Sequence, residues 1–194
     1  MSPASAPTTD EPTLDASPQE SLAGSEQLPA VSRPRWWVSQ APPCPPLGRV
    51  AVTTVSCLVG LLLLVGIGEV TGHVLLIPAM AGTMALVAAA PHFPLAQPRN
   101  VVLGQTIAAA LGLAVGAVDH SLWAAAVAAS LTVGVTVATR TAHAPAAATA
   151  VVGVLTVSGF VSFFVCAVAA AVVITATAVA ASRLTRTRYP VYWW

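Results

Sequence analysis

Pro94-Leu95-Ala96-Gln97-Pro98-Arg99-Asn100 stands between two apolar runs, residues 74–90 and 101–118, and this juxtaposition decides the class of fold. A helix rising about 1.5 Å per residue needs roughly 20 apolar residues to cross a bilayer, and connected bundles manage with about 17. A polar loop between two such runs is a turn at a membrane surface. Gln97, Arg99 and Asn100 set a fixed cation and two amide dipoles beside the positive end of the helix opening at Val101. They are candidate residues for holding a small anion.

Further apolar runs cover residues 50–68, 122–138 and 146–181, the last interrupted by Ser158-Gly159. With 56% hydrophobic and only 8% charged residues, the chain departs from soluble domains, of which about a quarter of residues are charged. Mean hydropathy is +0.80. The expected fold is all-α: a polytopic transmembrane helix bundle with four clear spans, followed by a C-terminal hairpin or a re-entrant helix and a span. Residues 49–182 form this domain. Residues 1–48 carry five of the seven acidic residues among Pro, Ser and Ala, which predicts a disordered acidic tail without the features of a secretory signal. Residues 183–194 form a short Arg and aromatic tail.

All eight basic side chains are Arg: Arg33, Arg35, Arg49, Arg99, Arg140, Arg183, Arg186 and Arg188. An even number of crossings puts every one on the same side, and the positive-inside rule makes that side cytoplasmic. A multi-pass protein of the inner or plasma membrane with a cytoplasmic N-terminus follows, in contact with the lipid bilayer. Trp36, Trp37, Tyr189, Tyr192, Trp193 and Trp194 fit an aromatic belt at that face. Gly112 and Gly116 form a small-residue pair one helical turn apart, suited to packing within the bundle or between copies in a homo-oligomer. Cys44, Cys57 and Cys166 share no close spacing, so neither disulfide nor metal site is read, and no cofactor or nucleic-acid partner is expected.

A second polar break, Thr139-Arg140-Thr141-Ala142-His143-Ala144-Pro145, repeats the plan of the first. An Arg and a Pro again precede a small-residue helix, whose unbonded N–H groups and dipole face the loop. Arg140 and His143 therefore join the candidate anion residues, His143 also as a gate. Glu69 with His73, and Asp119 with His120, close loops on the opposite face and form a weaker proton-coupling candidate. No Asp, Glu or His falls well inside a span, and there is no phosphate loop or metalloprotease motif, so an enzyme is not expected. The sequence points to a small-anion transporter or channel. A non-transporting membrane scaffold or regulatory subunit, and a proton-linked carrier using Glu69 and Asp119, are the alternatives.

The 94–100 loop and the stretch from Thr139 to Ala150 together resemble the HPP family of integral membrane proteins, over about residues 50–180. The resemblance implies about four spans. Because some plastid and cyanobacterial members are implicated in nitrite transport, it also implies a nitrite-like substrate. The family's His-Pro-Pro-Ala-Gly-Ala-Thr-Ala signature stands here as His143-Ala144-Pro145-Ala146-Ala147-Ala148-Thr149-Ala150. Ala replaces the first Pro and the Gly, which frees the preceding residue to be helical and removes backbone latitude.

Overall fold

The computed structural model describes residues 43–193; Trp36, Trp37, Trp194 and nearly all of the acidic N-terminal segment lie outside them. Six α-helices follow in order: α1 (Leu47–Thr71), α2 (Pro78–Ala89), α3 (Pro98–Gly116), α4 (Leu122–Ala138), α5 (Ala146–Leu155) and α6 (Phe160–Thr185). A 3-10 turn, Pro94–Ala96, precedes α3. α1, α3 and α6 are long and apolar enough to cross a membrane, and α4, at 17 residues, falls just short.

The apolar run at 74–90 is not the single spanning helix expected. Only Pro78–Ala89 is helical, 12 residues or about 18 Å. The reason is local: a residue before proline is pushed out of the helical region, and Ile77 sits at φ −99, ψ 160 with Pro78 starting the helix. The run at 146–181 resolves into the short-helix-then-span alternative. α5 has 10 residues, about 15 Å, and the left-handed Gly159 (φ 70) restarts the chain as α6.

The chain passes from one end of the bundle to the other six times. Four passes are whole helices; two combine an extended segment with a half-length helix. One end carries the described arginines: Arg49 lines a cavity with Thr185, Arg99 one with Arg183, and Arg99 approaches Thr139 beside Arg140. The α1–α2 and α3–α4 connections, with Glu69, His73, Asp119 and His120, lie at the other end.

The two halves repeat one plan in opposite directions. α1 closes with Gly72 left-handed (φ 70) and His73 N–H donating to the Gly68 carbonyl; α4 closes with Arg140 left-handed (φ 57) and Thr141 N–H donating to the Thr136 carbonyl. Each is a six-to-one helix cap. An extended segment follows each cap, and a proline opens each half-helix, as Pro78 at the first helical position of α2 and Pro145 just before α5. Packing obeys the same exchange. α1 meets α2 and α6 as α4 meets α5 and α3; α2 meets α6 as α5 meets α3; α2–α5 and α3–α6 contacts join the halves. This is an inverted-topology repeat.

Glycines set the tightest seam. A Cβ on Gly112 would lie 2.5 Å from the Ala150 carbonyl oxygen, and one on Gly116 would lie 2.9 Å from that of Val154. The Gly112/Gly116 pair therefore serves the α3–α5 contact inside the chain.

Candidate functional site

The N-terminal turns of the two half-helices lie side by side in the middle of the bundle. A Cβ on Gly82 would lie 3.7 Å from the Cβ of Pro145, and between the turns stands Gln105, midway along α3 and fully buried. Its amide nitrogen donates to Thr83 Oγ1 of α2 (2.8 Å), and its amide oxygen accepts from the Thr149 hydroxyl of α5. Thr83 and Thr149 are themselves fully buried, each near the start of its half-helix. Inside a bilayer such groups must find partners within the protein, because no water is there to serve them.

His143 completes the cluster from the extended 139–145 segment. Its ring is 3% exposed, with Nδ1 at 2.9 Å from the Leu95 carbonyl and Nε2 at 3.0 Å from Thr83 Oγ1. A carbonyl only accepts, so Nδ1 carries the hydrogen, and in the neutral ring Nε2 accepts from Thr83. Thr83 has one hydroxyl proton and a competing acceptor, the Ala79 carbonyl at 2.9 Å. With the proton toward His143, the bonds run in one direction: Thr149 to Gln105, to Thr83, to His143, to Leu95. Gly104 makes room for this, since a Cβ there would sit 2.8 Å from His143 Cβ and 3.0 Å from the Thr141 carbonyl oxygen.

The 94–100 loop is held from within and from the C-terminal tail. Gln97 donates its amide to the Pro91 (2.9 Å) and Phe93 (3.0 Å) carbonyls, and its oxygen accepts from the Val191 backbone N–H at 2.8 Å. Asn100 donates to the Pro94 carbonyl at 3.0 Å, leaving its oxygen buried without a partner. Tyr189 is not the lipid-facing anchor its sequence position suggests. It is 6% exposed and donates its hydroxyl to the Ala96 carbonyl at 3.0 Å, and burial pushes its ionisation above the ordinary range. Ser182 Oγ, 2.8 Å from the Tyr189 carbonyl, ties this clamp to α6.

The sequence-derived anion residues do not converge. His143 is in the core, whereas Arg99 faces a groove between α3 and α6, with Nη2 at 3.4 Å from the Thr139 carbonyl and Nε buried without an acceptor. Arg140 is exposed and first of all terminates α4. At the opposite end, Glu69 and His73 border a shared recess, and His73 Nδ1 bonds the Thr71 carbonyl. Asp119 accepts from the hydroxyl and backbone N–H of Ser121, the α4 cap, and these bonds hold its carboxyl below the ordinary range. His120 donates instead to the Val154 carbonyl of α5. Among the described residues, no three His, Cys, Asp or Glu side chains gather as a metal site would require.

Gln105 and Thr83 were absent from the sequence reading. A signal existed: Gln105 is the one amide side chain inside any of the five apolar runs.

Two transmembrane proteins of Dictyostelium discoideum are similar to the chain. One is 30% identical over 167 residues, covering 79% of this chain and 59% of its own length. The other is 32% identical over 131 residues, covering 62% of this chain and 42% of its own. The chain thus spans about half the length of these relatives. No solved structure matches it. Residues 42–190 match the HPP transmembrane region, and the protein belongs to the HPP family of membrane proteins.

Proposed function

We propose that the protein carries a small anion of the nitrite class across the membrane, along a path through the centre of the bundle. The observation that supports this is the meeting of two half-helix N-terminal turns around Gln105. Half-helices aimed at a bundle centre concentrate partial positive charge where a permeating anion loses its water. Gln105 spends one amide hydrogen on Thr83 and keeps a second for a ligand. Thr83, Thr149 and His143 supply further polar contacts, and Arg140, with the other arginines, draws anions to one mouth. In this reading that mouth is cytoplasmic and the membrane is the plasma membrane, as the positive-inside rule directs. The protein moves its substrate unchanged and is not an enzyme.

Flux in proteoliposomes tests the proposal, comparing nitrite, nitrate, formate and chloride. Nitrite flux is expected in the parent protein and a drop of about tenfold or more in both Gln105→Leu and Thr149→Val, the loss of one well-placed hydrogen bond being worth roughly that factor. Absence of flux for all four anions removes the function. Parent-level flux in both variants removes the site.

A further inference from the structure

A groove of about 520 Å³ opens between α3 and α6 at the arginine end of the bundle. Its walls are apolar, formed by side chains such as Val102, Leu103, Val172 and Val179, while its rim carries Arg99, Arg183 and Trp193. Among the described residues the charges on that rim have no counter-ion. Within residues 43–193 the acidic side chains are Glu69 and Asp119, and both belong to the opposite end. Arg99 is the sharper case: its Nε is buried without an acceptor, and its single bond, to the Thr139 carbonyl, is long at 3.4 Å. Nε is closed off by the protein, but the terminal nitrogens, which make only that one long bond among the described residues, keep donors for an oxygen acceptor in the groove.

We propose that this groove binds one anionic glycerophospholipid. Its phosphodiester sits on Arg99 and Arg183, Trp193 packs at the ester level, and an acyl chain follows the apolar wall toward the middle of the membrane. Basic rims on clefts between transmembrane helices select anionic headgroups, and Trp favours the level where headgroup meets chain. A free oxyanion would satisfy Arg99 equally well but would leave the wall below it unused; the length of apolar wall is what favours a lipid. The inference is independent of the transport reading, because the groove lies outside the Gln105 cluster.

Native mass spectrometry of the purified full chain, delipidated and then offered phosphatidylglycerol or phosphatidylcholine, tests this. One bound phosphatidylglycerol is expected to survive where phosphatidylcholine dissociates, with a preference of roughly tenfold or more for two surface arginines. Arg99→Gln with Arg183→Gln should abolish the preference. Ala176→Phe, which fills the wall and leaves both arginines, should weaken phosphatidylglycerol binding while the protein stays folded by its circular dichroism. Equal retention of the two lipids overturns the proposal. So does displacement of phosphatidylglycerol by millimolar inorganic phosphate combined with full binding in Ala176→Phe, the pattern of a free-anion site. If the double variant fails to fold, the single variant Arg183→Gln and Ala176→Phe decide between the same outcomes.

Discussion

Thr83 Oγ1 and His143 Nε2 lie 3.0 Å apart across sixty residues of sequence, one on a half-helix and the other on an extended segment of the opposite repeat. Their contact joins the two halves at the point where each departs from a plain helix. An extended backbone inside a membrane protein survives only where other protein covers it and satisfies it. Here Gly104 of α3 leaves room for the 139–145 segment, and Gln105 beside it bonds the hydroxyls of Thr83 and Thr149 on the two half-helices.

Gln105→Leu is expected to lower stability by about 1 kcal/mol, a modest cost for a fully buried amide. The change takes a donor from Thr83 and the acceptor from Thr149, but the Thr83 hydroxyl proton keeps both His143 and the Ala79 carbonyl, so the loss is confined to the two bonds of Gln105 itself. In lipid nanodiscs this corresponds to a melting shift of about 2–4 °C. A variant that no longer folds would contradict this account of the cluster.

Gly112→Val should prevent the α3–α5 contact, because even a Cβ would stand 2.5 Å from the Ala150 carbonyl oxygen and backbone cannot give way as a side chain can. Gly134→Ala on α4 meets nothing within 4 Å and should be neutral or stabilising, by up to about 1 kcal/mol. Size-exclusion profiles and melting curves of the two variants check the contrast. Similar behaviour in both would show that the seam is not as rigid as its geometry requires.

Tyr189→Phe leaves the Ala96 carbonyl without its donor and should cost about 1 kcal/mol. Amide exchange should rise locally in residues 91–97. The same residue sets a limit at high pH. Its ionisation is raised in the folded state, so the stability it contributes is complete below its ordinary value of 10.0 and is lost as pH rises beyond it. The alkaline destabilisation of the parent should therefore be weaker in Tyr189→Phe; identical alkaline profiles would exclude the clamp.

Asp119 gives the opposite sign. Ser121 bonds hold its folded ionisation below 3.8, so its contribution is present above that value and is lost as pH falls through the folded one. Melting temperatures of parent and Asp119→Asn should differ near neutral pH and converge in acid. A difference that persists at pH 2 would show that the carboxylate charge is not what matters.

The long apolar runs were legible because hydropathy follows from composition alone, and α1, α3, α4 and α6 lie where those runs predict. Placing the arginines at one end was legible for a related reason: a count of crossings by parity survives errors about which crossings are helical. The 74–90 run misled because its apolar residues continue through Leu75, Leu76 and Ile77, whereas the backbone obeys Pro78. Tyr189 alone in the described aromatic tail misled in a similar way, since Tyr192 and Trp193 are exposed. Tyr189 has the composition of a membrane anchor, yet a free hydroxyl acceptor on Ala96 and a fold returning the tail to it turn the residue inward.

Sequence by itself determined that this is an all-helical membrane protein of the HPP family, where its long apolar helices lie and that the described arginines share one end. These are properties of side-chain transfer energies, which add along a chain. Only the tertiary structure decided that Gln105 bridges Thr83 and Thr149, that His143 enters the core while Arg99 turns to a groove between α3 and α6, and that the two halves repeat one plan in opposite directions. Those outcomes depend on backbone breaks at Gly72 and Arg140 and on glycine seams between distant segments. Such pairings are cooperative, and no single residue's chemistry contains them.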